Sequence, residues 1–352
     1  MHSLLLVRDG RVTRDDSLSG PGRGGRDVER LIDEVESSEN TWGWIDLSSD
    51  AMLDLEPLAM RFGIHRLAVE DAFAPHERPK LRRYDDFVSL TLLASLPSDT
   101  RQMQPQHSED LARGASVSMD GHLAIGRIAA FMFDRFFVTV HDETFDMQRV
   151  VTRLSENQHL AKYGPGSAMW ALLDYVVDDH IDTLEILEDS VDDLAEALFE
   201  SDAGGTIDLQ QRAFVLRRDV AKMRHATAPL REVVTVITRR DDNRVAQELQ
   251  PYMLDVYDHV MHAADWTETL RDQISSVLET NVSLQGNRMN SIMKKVTSWA
   301  AIIAVPTAIT GYFGQNLTFP GIETEWGWWL SCGLIVAASV TLYWIFRRND
   351  WL

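Results

Sequence analysis

The sequence is poor in cysteine and in positive charge. Its 352 residues include one cysteine, Cys332, so a disulfide framework is excluded and the soluble part suits a reducing compartment. Lys and Arg number 34 against 54 Asp and Glu, which gives a net charge of -20. This balance argues against nucleic acid as a partner and favours cations near the surface.

The sequence also lacks the local motifs of common enzymes. No G-x-S-x-G, H-E-x-x-H or Cys-His arrangement occurs, and the glycine-rich stretch at 15–27 has no phosphate-binding spacing. We expect that stretch to be a flexible loop. The first ten residues carry too short an apolar segment, and no basic n-region, for a signal peptide. We therefore predict that the chain is not an enzyme and has no cofactor.

Long uncharged runs are confined to the C-terminal part, at 296–315 and 326–346. Each can cross roughly 30 Å of hydrocarbon as a helix, so the lipid bilayer is a predicted partner. Basic pairs lie outside the runs at 294–295 and 347–348, and the loop at 316–325 has no Lys or Arg. The positive-inside rule predicts a multi-pass protein of the plasma (inner) membrane with both termini in the cytoplasm. The alternative, two core helices of a soluble protein, is opposed by the basic flanks and by tryptophans near the expected interfaces.

Strand and helix signals alternate in the N-terminal half. Residues 42–47, 87–96 and 124–141 are rich in β-branched and aromatic side chains and predict strands, whereas 55–71 predicts one or two helices. The polar residues 97–121 predict a loop. The expected fold of this half is a small α/β domain.

Acidic residues dominate the next segment. From 163 to 211 there is no Lys or Arg, and thirteen Asp and Glu occur. Those that recur every three or four residues predict a carboxylate stripe on one helix face: Asp178, Asp182, Glu185, Asp189, Asp192, Glu196 and Glu200. Apolar residues recur on another face as the predicted core: Val177, Ile181, Leu184, Leu187, Val191, Leu194 and Leu198. The stripe is either a solvated face or a surface that weakly attracts divalent cations.

Basic residues return in a second helix, predicted from about 208 to 240. An antiparallel pairing of the two helices would bring opposite charges together. The predicted partners of the acidic stripe are Arg212, Arg217, Arg218, Lys222, Arg224 and Arg231.

A third helix is predicted from 251 into the first uncharged run, because no proline occurs between Pro251 and Pro306. A seven-residue repeat predicts a seam for lengthwise helix packing: Met253, Val256, Val260, Ala263, Thr267, Leu270, Ile274, Val277, Asn281, Leu284 and Arg288. About 60 residues at 1.5 Å each make a rod of roughly 90 Å, which this chain alone cannot cover. We therefore expect self-association as a symmetric ring around a membrane axis.

The first uncharged run ends in Gly-Gln-Asn at 314–316, and Gly311 lies one turn earlier. Glycines permit close approach of neighbouring helices. In a ring, several Asn316 side chains would face one another at the outer mouth, and their neutral oxygens could hold hydrated Mg²⁺ without trapping it. Glu323 and Glu325 in the following loop would raise the local cation concentration.

A line of residues continues inward from this mouth. Thr307 lies nine residues before Asn316, which is about two and a half helical turns. Ala304, Val296 and Met293 continue the line as a predicted apolar constriction. This arrangement is typical of an ion pathway.

Two alternatives remain open from the residues themselves. Asp255, His259, His262 and Asp265 share helical spacing, and two histidines three apart can bind a transition metal in a membrane-anchored metalloenzyme. They are otherwise surface residues beside the seam. A membrane-tethered interaction or sensor protein is the second alternative, although a tether needs no polar ending at 314–316.

Several short motifs together resemble the CorA metal-ion transporter family. They are Tyr-Phe-Gly-Gln-Asn at 312–316 after Pro-Thr at 306–307, the ending Arg-Arg-Asn-Asp-Trp-Leu at 347–352, Pro-Tyr at 251–252 with Asp-Val-Tyr-Asp-His at 255–259, Pro-Leu-Arg-Glu at 229–232, and His-Glu-Arg-Pro-Lys at 76–80. The resemblance covers about 40–352. It implies a funnel-shaped homopentamer that takes up Mg²⁺, and also Co²⁺ and Ni²⁺, driven by membrane potential and closed by intracellular Mg²⁺.

The resemblance also implies roles for single residues. The selectivity mouth would be Gly314, Gln315 and Asn316, and the pore lining would be Asn290, Met293, Val296, Ala304, Thr307 and Gly311. Asp255 would bind a regulatory metal between subunits, with Asp99 of the neighbour as its expected partner. The family motif is Gly-Met-Asn, whereas Gln315 is the middle residue here. Because ZntB-like zinc transporters also vary there, Zn²⁺ transport coupled to protons stays the alternative.

Together these features predict an α/β cytoplasmic domain, long acidic and coiled helices, and two C-terminal transmembrane helices. The predicted segments are the α/β domain at 1–160, the acidic and basic helical pair at 161–250, the long pore helix at 251–315 with its span at 296–315, the outer loop at 316–325, the second span at 326–346 and the basic tail at 347–352.

Overall fold

The computed structural model describes residues 3–14, 24–48, 52–74, 77–96, 123–200, 206–239, 245–315 and 325–352. The chain divides into two units, Met1–Ser275 and Ser276–Leu352.

A seven-stranded sheet forms the centre of the first unit. Its strands follow the order β2-β1-β3-β7-β6-β5-β4. The paired strands run antiparallel except β3 and β7, which are parallel. The strands are β1 Ser3–Arg8, β2 Arg11–Arg14, β3 Thr41–Ser48, β4 Lys80–Arg83, β5 Val88–Leu96, β6 Ala124–Met132 and β7 Phe136–His141.

Helices cover both faces of this sheet, because its central strands are apolar on both sides. Every residue of β3 and of β7 is buried. Neighbouring residues point to opposite faces, so Trp44 belongs to one apolar cluster and Ile45 to the other. On the Ile45 side lie α1 Gly24–Ser37, α2 Met52–Phe62 and α3 Arg66–Phe73.

The Trp44 side of the sheet is covered by the remaining helices of the first unit. They are α4 Met147–Glu156, α5 Gln158–Ala161, α6 Pro165–Glu200, α7 Thr206–Thr238 and the first part of α8 Gln250–Phe313, which follows a short 3-10 turn at Gln247–Leu249. Residues from α6, α7 and α8 share one apolar cluster with the sheet. The α/β class expected for the N-terminal half is confirmed.

The predicted strands all occur, and 124–141 forms two of them. The helical prediction for 55–71 is confirmed as α2 and α3, separated at Gly63, whose φ of 65° suits glycine. The predicted loop at 97–121 lies outside the described residues.

The flexible-loop prediction for 15–27 is wrong at 24–27, where α1 has already begun. The buried Leu31, Ile32 and Val35 dock α1 on the sheet, and this packing outweighs the low helix propensity of its first glycines.

The core face predicted for α6 is confirmed. Val177, Leu184, Leu187, Val191, Leu194 and Leu198 are buried, and Ile181 is partly buried. Asp182, Glu185, Asp189, Asp192 and Glu196 of the stripe are exposed. Among the described residues, no three Asp, Glu, His or Cys side chains are grouped to hold a metal ion. A solvated acidic face is therefore the better interpretation of the stripe.

The ion pairs of α7 differ from the prediction. Arg224 Nε lies 2.5 Å from Glu268 Oε1, and Arg231 Nη1 lies 3.4 Å from Asp265 Oδ1, so both arginines pair with α8. Lys222 pairs with Asp219 of its own helix at 3.1 Å. For these three residues the predicted pairing with the acidic stripe is wrong, because the stripe faces solvent.

The seam predicted along α8 is buried in its first half. Met253, Val256, Val260, Ala263, Leu270 and Ile274 are at most 1 % exposed, and Thr267 is fully buried. The hydroxyl of Thr267 lies 3.4 Å from that of Thr227 on α7. This half of the seam is therefore covered within one chain, without a second copy.

A hydrogen bond from His180 links α6 to the sheet. Its Nε2 hydrogen bonds to the carbonyl oxygen of Leu93 at 2.9 Å, so Nε2 carries the proton. Complete burial lowers the pKa of His180 to about 4, and the bond to Leu93 offsets only part of this effect. The imidazole is therefore neutral at neutral pH.

A buried polar network crosses the parallel pair β3 and β7. Trp44 Nε1 donates to Thr139 Oγ1 at 2.9 Å, and that hydroxyl donates to Asp46 Oδ1 at 2.6 Å. His141 Nε2 lies 3.3 Å from Asp46 Oδ2, and His141 Nδ1 bonds the carbonyl oxygen of Asp142 at 2.8 Å. Burial alone would lower the pKa of His141, but the hydrogen bond and charge of Asp46 outweigh it and raise that pKa.

The second unit contains two helices long and apolar enough to cross a membrane. They are the C-terminal part of α8 and helix α9 Glu325–Arg348. Only 6 % of the apolar segment of α8 and none of that of α9 is buried. Apolar helices so little buried need lipid or further protein around them, as the uncharged runs predict.

Candidate functional site

The residues predicted to line a pore occupy one side of α8. At 3.6 residues per turn they fall within an arc of about 120°. All of them are exposed in the single chain: Asn290, Met293, Val296, Ala304, Thr307 and Gly311. Met293 and Val296 are 61 % and 64 % exposed, which is unusual for apolar side chains of a folded unit.

The residues of α8 on the other side of the helix are better covered. Ser298 is buried, and Val305 and Ile309 are partly buried. Between 298 and 309 the helix is therefore two-sided, and Ala304 and Thr307 lie on its uncovered side, whereas the stretch that holds Asn290, Met293 and Val296 is exposed all round.

Threonine hydroxyls on this helix donate to its own backbone. Thr307 Oγ1 lies 3.1 Å from the carbonyl oxygen of Ile303, and Thr310 Oγ1 lies 2.9 Å from that of Pro306. Pro306 has no N–H, so the carbonyl of Ile302 loses its usual partner four residues on. The exposed side of this segment thus carries hydroxyl oxygens that can interact with water or cations.

The last turn of α8 closes at Gly314. Its N–H donates to the carbonyl oxygen of Thr310 at 2.8 Å, and a Cβ at this position would lie 3.0 Å from the same oxygen. Gln315 follows and is exposed. Asn316 and Glu323 lie outside the described residues.

Glu325 begins α9 and is exposed. A carboxylate in the first turn of a helix is stabilised by the positive end of the helix dipole. Its predicted attraction of cations is compatible with this position.

Asp255 lies beside a cluster of charged residues in the first unit. It is exposed on α8, one turn before His259, whose Nδ1 is 3.6 Å from Asp178 Oδ1 on α6. Arg153 of α4 contacts the same carboxylate, with Nη1 2.6 Å from Asp178 Oδ2, and contacts Asp174 Oδ2 at 2.5 Å.

Asp174 is affected by all of these charges. Burial raises its pKa, Arg153 lowers it, and the negative charges of Asp178 and Asp255 raise it further, so the net direction is upward. Burial lowers the pKa of Arg153, but the pairing with Asp178 and Asp174 outweighs burial and raises it. Asp174 and Asp178 therefore share one guanidinium, and Asp255 adds a third negative charge that acts on Asp174.

The cluster is not a closed metal site within one chain. Residues 3–14, 24–48, 52–74, 77–96, 123–200, 206–239, 245–315 and 325–352 contain no group of three acidic, His or Cys side chains arranged around an ion. Asp99, the predicted partner of Asp255, lies outside them. The carboxylate of Asp255 suits Mg²⁺ as a single hard oxygen ligand, and an ion bound there needs further ligands from water or a second copy.

The predicted histidine pair is not brought together as a metal site. His259 faces Asp178, whereas the ring of His262 lies 5.2 Å from that of Trp266. Neither histidine joins a group of three ligands in the part of the chain that the structure describes. The metalloenzyme alternative therefore has no support from the geometry.

Arg153 and Asp174 were missed by the sequence analysis. Arg153 precedes the acidic segment by ten residues, and no motif marks it. Asp174 lies one turn before Asp178 on α6, so helical spacing alone could have added it to the stripe.

Comparison with known proteins identifies the family. The model of the family described as "CorA-like Mg2+ transporter protein" matches residues 39–348, which is most of the chain. The chain belongs to the CorA family. Membership of this transporter family confirms the resemblance and the prediction that the chain is not an enzyme.

Two relatives cover most of the chain. The cobalt/magnesium transport protein CorA of Thermotoga maritima is 28 % identical over 331 residues, covering 93 % of this chain and 87 % of the relative. The zinc transport protein ZntB of Yersinia pestis is 27 % identical over 284 residues, covering 78 % and 77 %.

The fold agrees with that of a solved CorA structure. The CorA magnesium transporter of Methanocaldococcus jannaschii superposes with a TM-score of 0.73 at 20 % identity, covering 100 % of this chain and 99 % of that one. This confirms the predicted fold class of an α/β domain followed by long helices and two C-terminal apolar helices.

Proposed function

We propose that the protein is a divalent cation channel that mediates Mg²⁺ uptake, and also conducts Co²⁺ and Ni²⁺. The observation that carries the proposal is the match to the CorA-like Mg²⁺ transporter family over 39–348. The exposed side of α8, ending at Gly314 and Gln315, supports it from the residues. A tether or sensor would not need such a line of residues.

The conducting form is proposed to be a homopentamer in the plasma (inner) membrane, with both termini in the cytoplasm. One chain leaves the pore side of α8 uncovered, and a symmetric ring would bring five such sides around one axis. The second half of the predicted seam, in which Val277 and Leu284 are only partly buried and Arg288 is exposed, would be covered in the same ring.

Conduction needs little direct contact between protein and ion. Mg²⁺ sheds its waters reluctantly, so a ring of Asn316 amides would hold it through them and release it again. Below the mouth, the hydroxyl of Thr307 precedes the apolar Ala304, Val296 and Met293. The membrane potential supplies about 4.6 kcal/mol per dication at 100 mV, so no ATP is needed.

The test of this function is ion flux into proteoliposomes containing the purified full chain and a metal-sensitive dye. With an imposed inside-negative potential, we expect Mg²⁺, Co²⁺ and Ni²⁺ influx that stops when the potential is removed. Empty liposomes are the control. Absence of influx for every divalent cation would overturn the proposal.

Zinc transport coupled to protons is the second candidate. Gln315 replaces the usual methionine of the Gly-Met-Asn motif, and the similarity to ZntB covers 78 % of the chain. The same liposomes distinguish the two functions. Zn²⁺ influx that requires a pH gradient, with Mg²⁺ excluded, would favour the zinc transporter.

Regulation is proposed to depend on Asp255. At high internal Mg²⁺ its carboxylate would share a cation with an acid of the neighbouring chain, for which Asp99 is the proposal, and would stabilise the closed state. Carboxylate repulsion would loosen the ring when the ion leaves.

Asp255→Asn is expected to weaken inhibition by cytoplasmic-side Mg²⁺ by about ten-fold, because the amide keeps the shape but loses the charge that attracts the ion. The measurement is the Mg²⁺ concentration that halves the flux, in vesicles of defined internal Mg²⁺. Asp272→Asn, an exposed acid farther along α8, is the matched control. An unchanged inhibition curve for Asp255→Asn would contradict the regulatory role.

A further inference from the structure

Among the ion pairs of the described residues, Arg153 is the only cation that contacts both Asp174 and Asp178. Its side chain is 26 % exposed, Asp174 is 14 % exposed and Asp178 is 40 % exposed. The guanidinium also lies over the ring of Tyr175, 5.7 Å from the centroid. These contacts fix Arg153 between the two carboxylates and an aromatic face.

The fixed guanidinium lies next to the part of α8 that carries Asp255. Asp178 connects the two, because its Oδ2 contacts Arg153 and its Oδ1 faces His259 at 3.6 Å. His259 and Asp255 are one helical turn apart and share a face of α8. A divalent cation at Asp255 would therefore feel both the acids and the arginine.

We propose that Arg153 is a resident counter-ion that positions Asp174 and Asp178 and thereby sets the Mg²⁺ concentration at which the channel closes. The inference rests on the proposed regulatory role of Asp255. Arg153 keeps the negative potential low enough that the site stays empty at low Mg²⁺. It also keeps Asp174 and Asp178 from binding the ion in place of Asp255.

Charge sets the direction of the effect. Without the guanidinium, three carboxylates would face an arriving dication with no resident positive charge, so the ion would bind more tightly. For a separation of about 8 Å and an effective dielectric constant of about 60, Coulomb's law gives roughly a ten-fold change in binding. Removing the charge of Asp178 would shift binding in the opposite direction.

The experiment measures Mg²⁺ inhibition of flux through the full chain in proteoliposomes, each variant normalised to its own flux at low Mg²⁺. Arg153→Gln is expected to lower the half-inhibiting Mg²⁺ concentration about ten-fold, and Asp178→Asn to raise it about three-fold. Arg153→Lys, which keeps the charge, should stay within about two-fold of the wild type. Arg224→Gln, which removes another ion-paired arginine of the same unit, should leave the curve unchanged.

The opposite shifts separate a role in charge from a role in folding. If the Arg153–Asp178 pair were merely structural, both variants would shift the curve in the same direction, and that result would overturn the proposal. An unshifted curve for Arg153→Gln, in a preparation where Asp255→Asn does shift it, would overturn this inference alone. If Asp255→Asn has no effect either, the regulatory role of Asp255 fails first.

Discussion

Replacing Asn316 with alanine should reduce Mg²⁺ influx at least ten-fold. In the proposed ring, every subunit loses its amide at once, so the mouth loses all the neutral oxygens that hold the hydrated ion. An alanine ring would present methyl groups to a dication that keeps its waters. The measurement is the initial rate of Mg²⁺ influx into proteoliposomes at a fixed inside-negative potential.

The control for this variant is Asn349→Ala. The side chain of Asn349 bonds the carbonyl oxygen of Ile345 at the end of α9 and has no proposed contact with the ion. This control should keep most of the wild-type flux. Undiminished flux through Asn316→Ala would mean that the ion does not pass the mouth as proposed.

Replacing Asp46 with alanine should destabilise the first unit by about 3–5 kcal/mol, because it leaves a buried polar network without its central acceptor. Thr139 and His141 would each lose a partner, and both are buried. The free energy of unfolding is measured by urea titration of the full chain in detergent. Asp182→Ala, an exposed acid of the stripe, should change it by less than about 0.5 kcal/mol.

The same network gives a pH dependence with a defined sign. The pKa of His141 is raised in the folded protein, so its contribution to stability is fully present below the ordinary value of about 6.5. That contribution is lost as the pH rises through the raised pKa. Asp46→Asn removes the ion pair, so the variant should lose this decline. A wild type whose stability rises over that interval would contradict the assignment.

The elements with long, regular patterns could be predicted from the sequence. The core face of α6, the long α8 and the apolar helices all follow from spacing of three and four residues or from uncharged length. The α/β domain was predicted less completely, because β1 and α1 derive their stability from packing on the sheet. Asp9 and Gly10 both have positive φ and form the two-residue turn between β1 and β2, and Asp-Gly is the local sequence signal for such a hairpin.

The candidate site divides in the same way. The line from Asn290 to Gly311 is a helical repeat, so its common face could be predicted before any coordinates. The cluster around Asp255 could not, because Arg153 reaches it from α4, about a hundred residues earlier in the chain. Contacts between distant segments depend on how helices pack, and no local pattern encodes them.

In the proposed pore, the threonine hydroxyls of α8 have a consequence for the choice between cations and anions. Because Thr307 gives its proton to the backbone of its own helix, its oxygen can present only lone pairs to whatever passes beside it. Such an oxygen attracts cations and repels chloride without carrying a formal charge. A pore lined in this way can reject anions through the orientation of its hydroxyl groups, and it does so without a carboxylate that would bind a dication too tightly to release it.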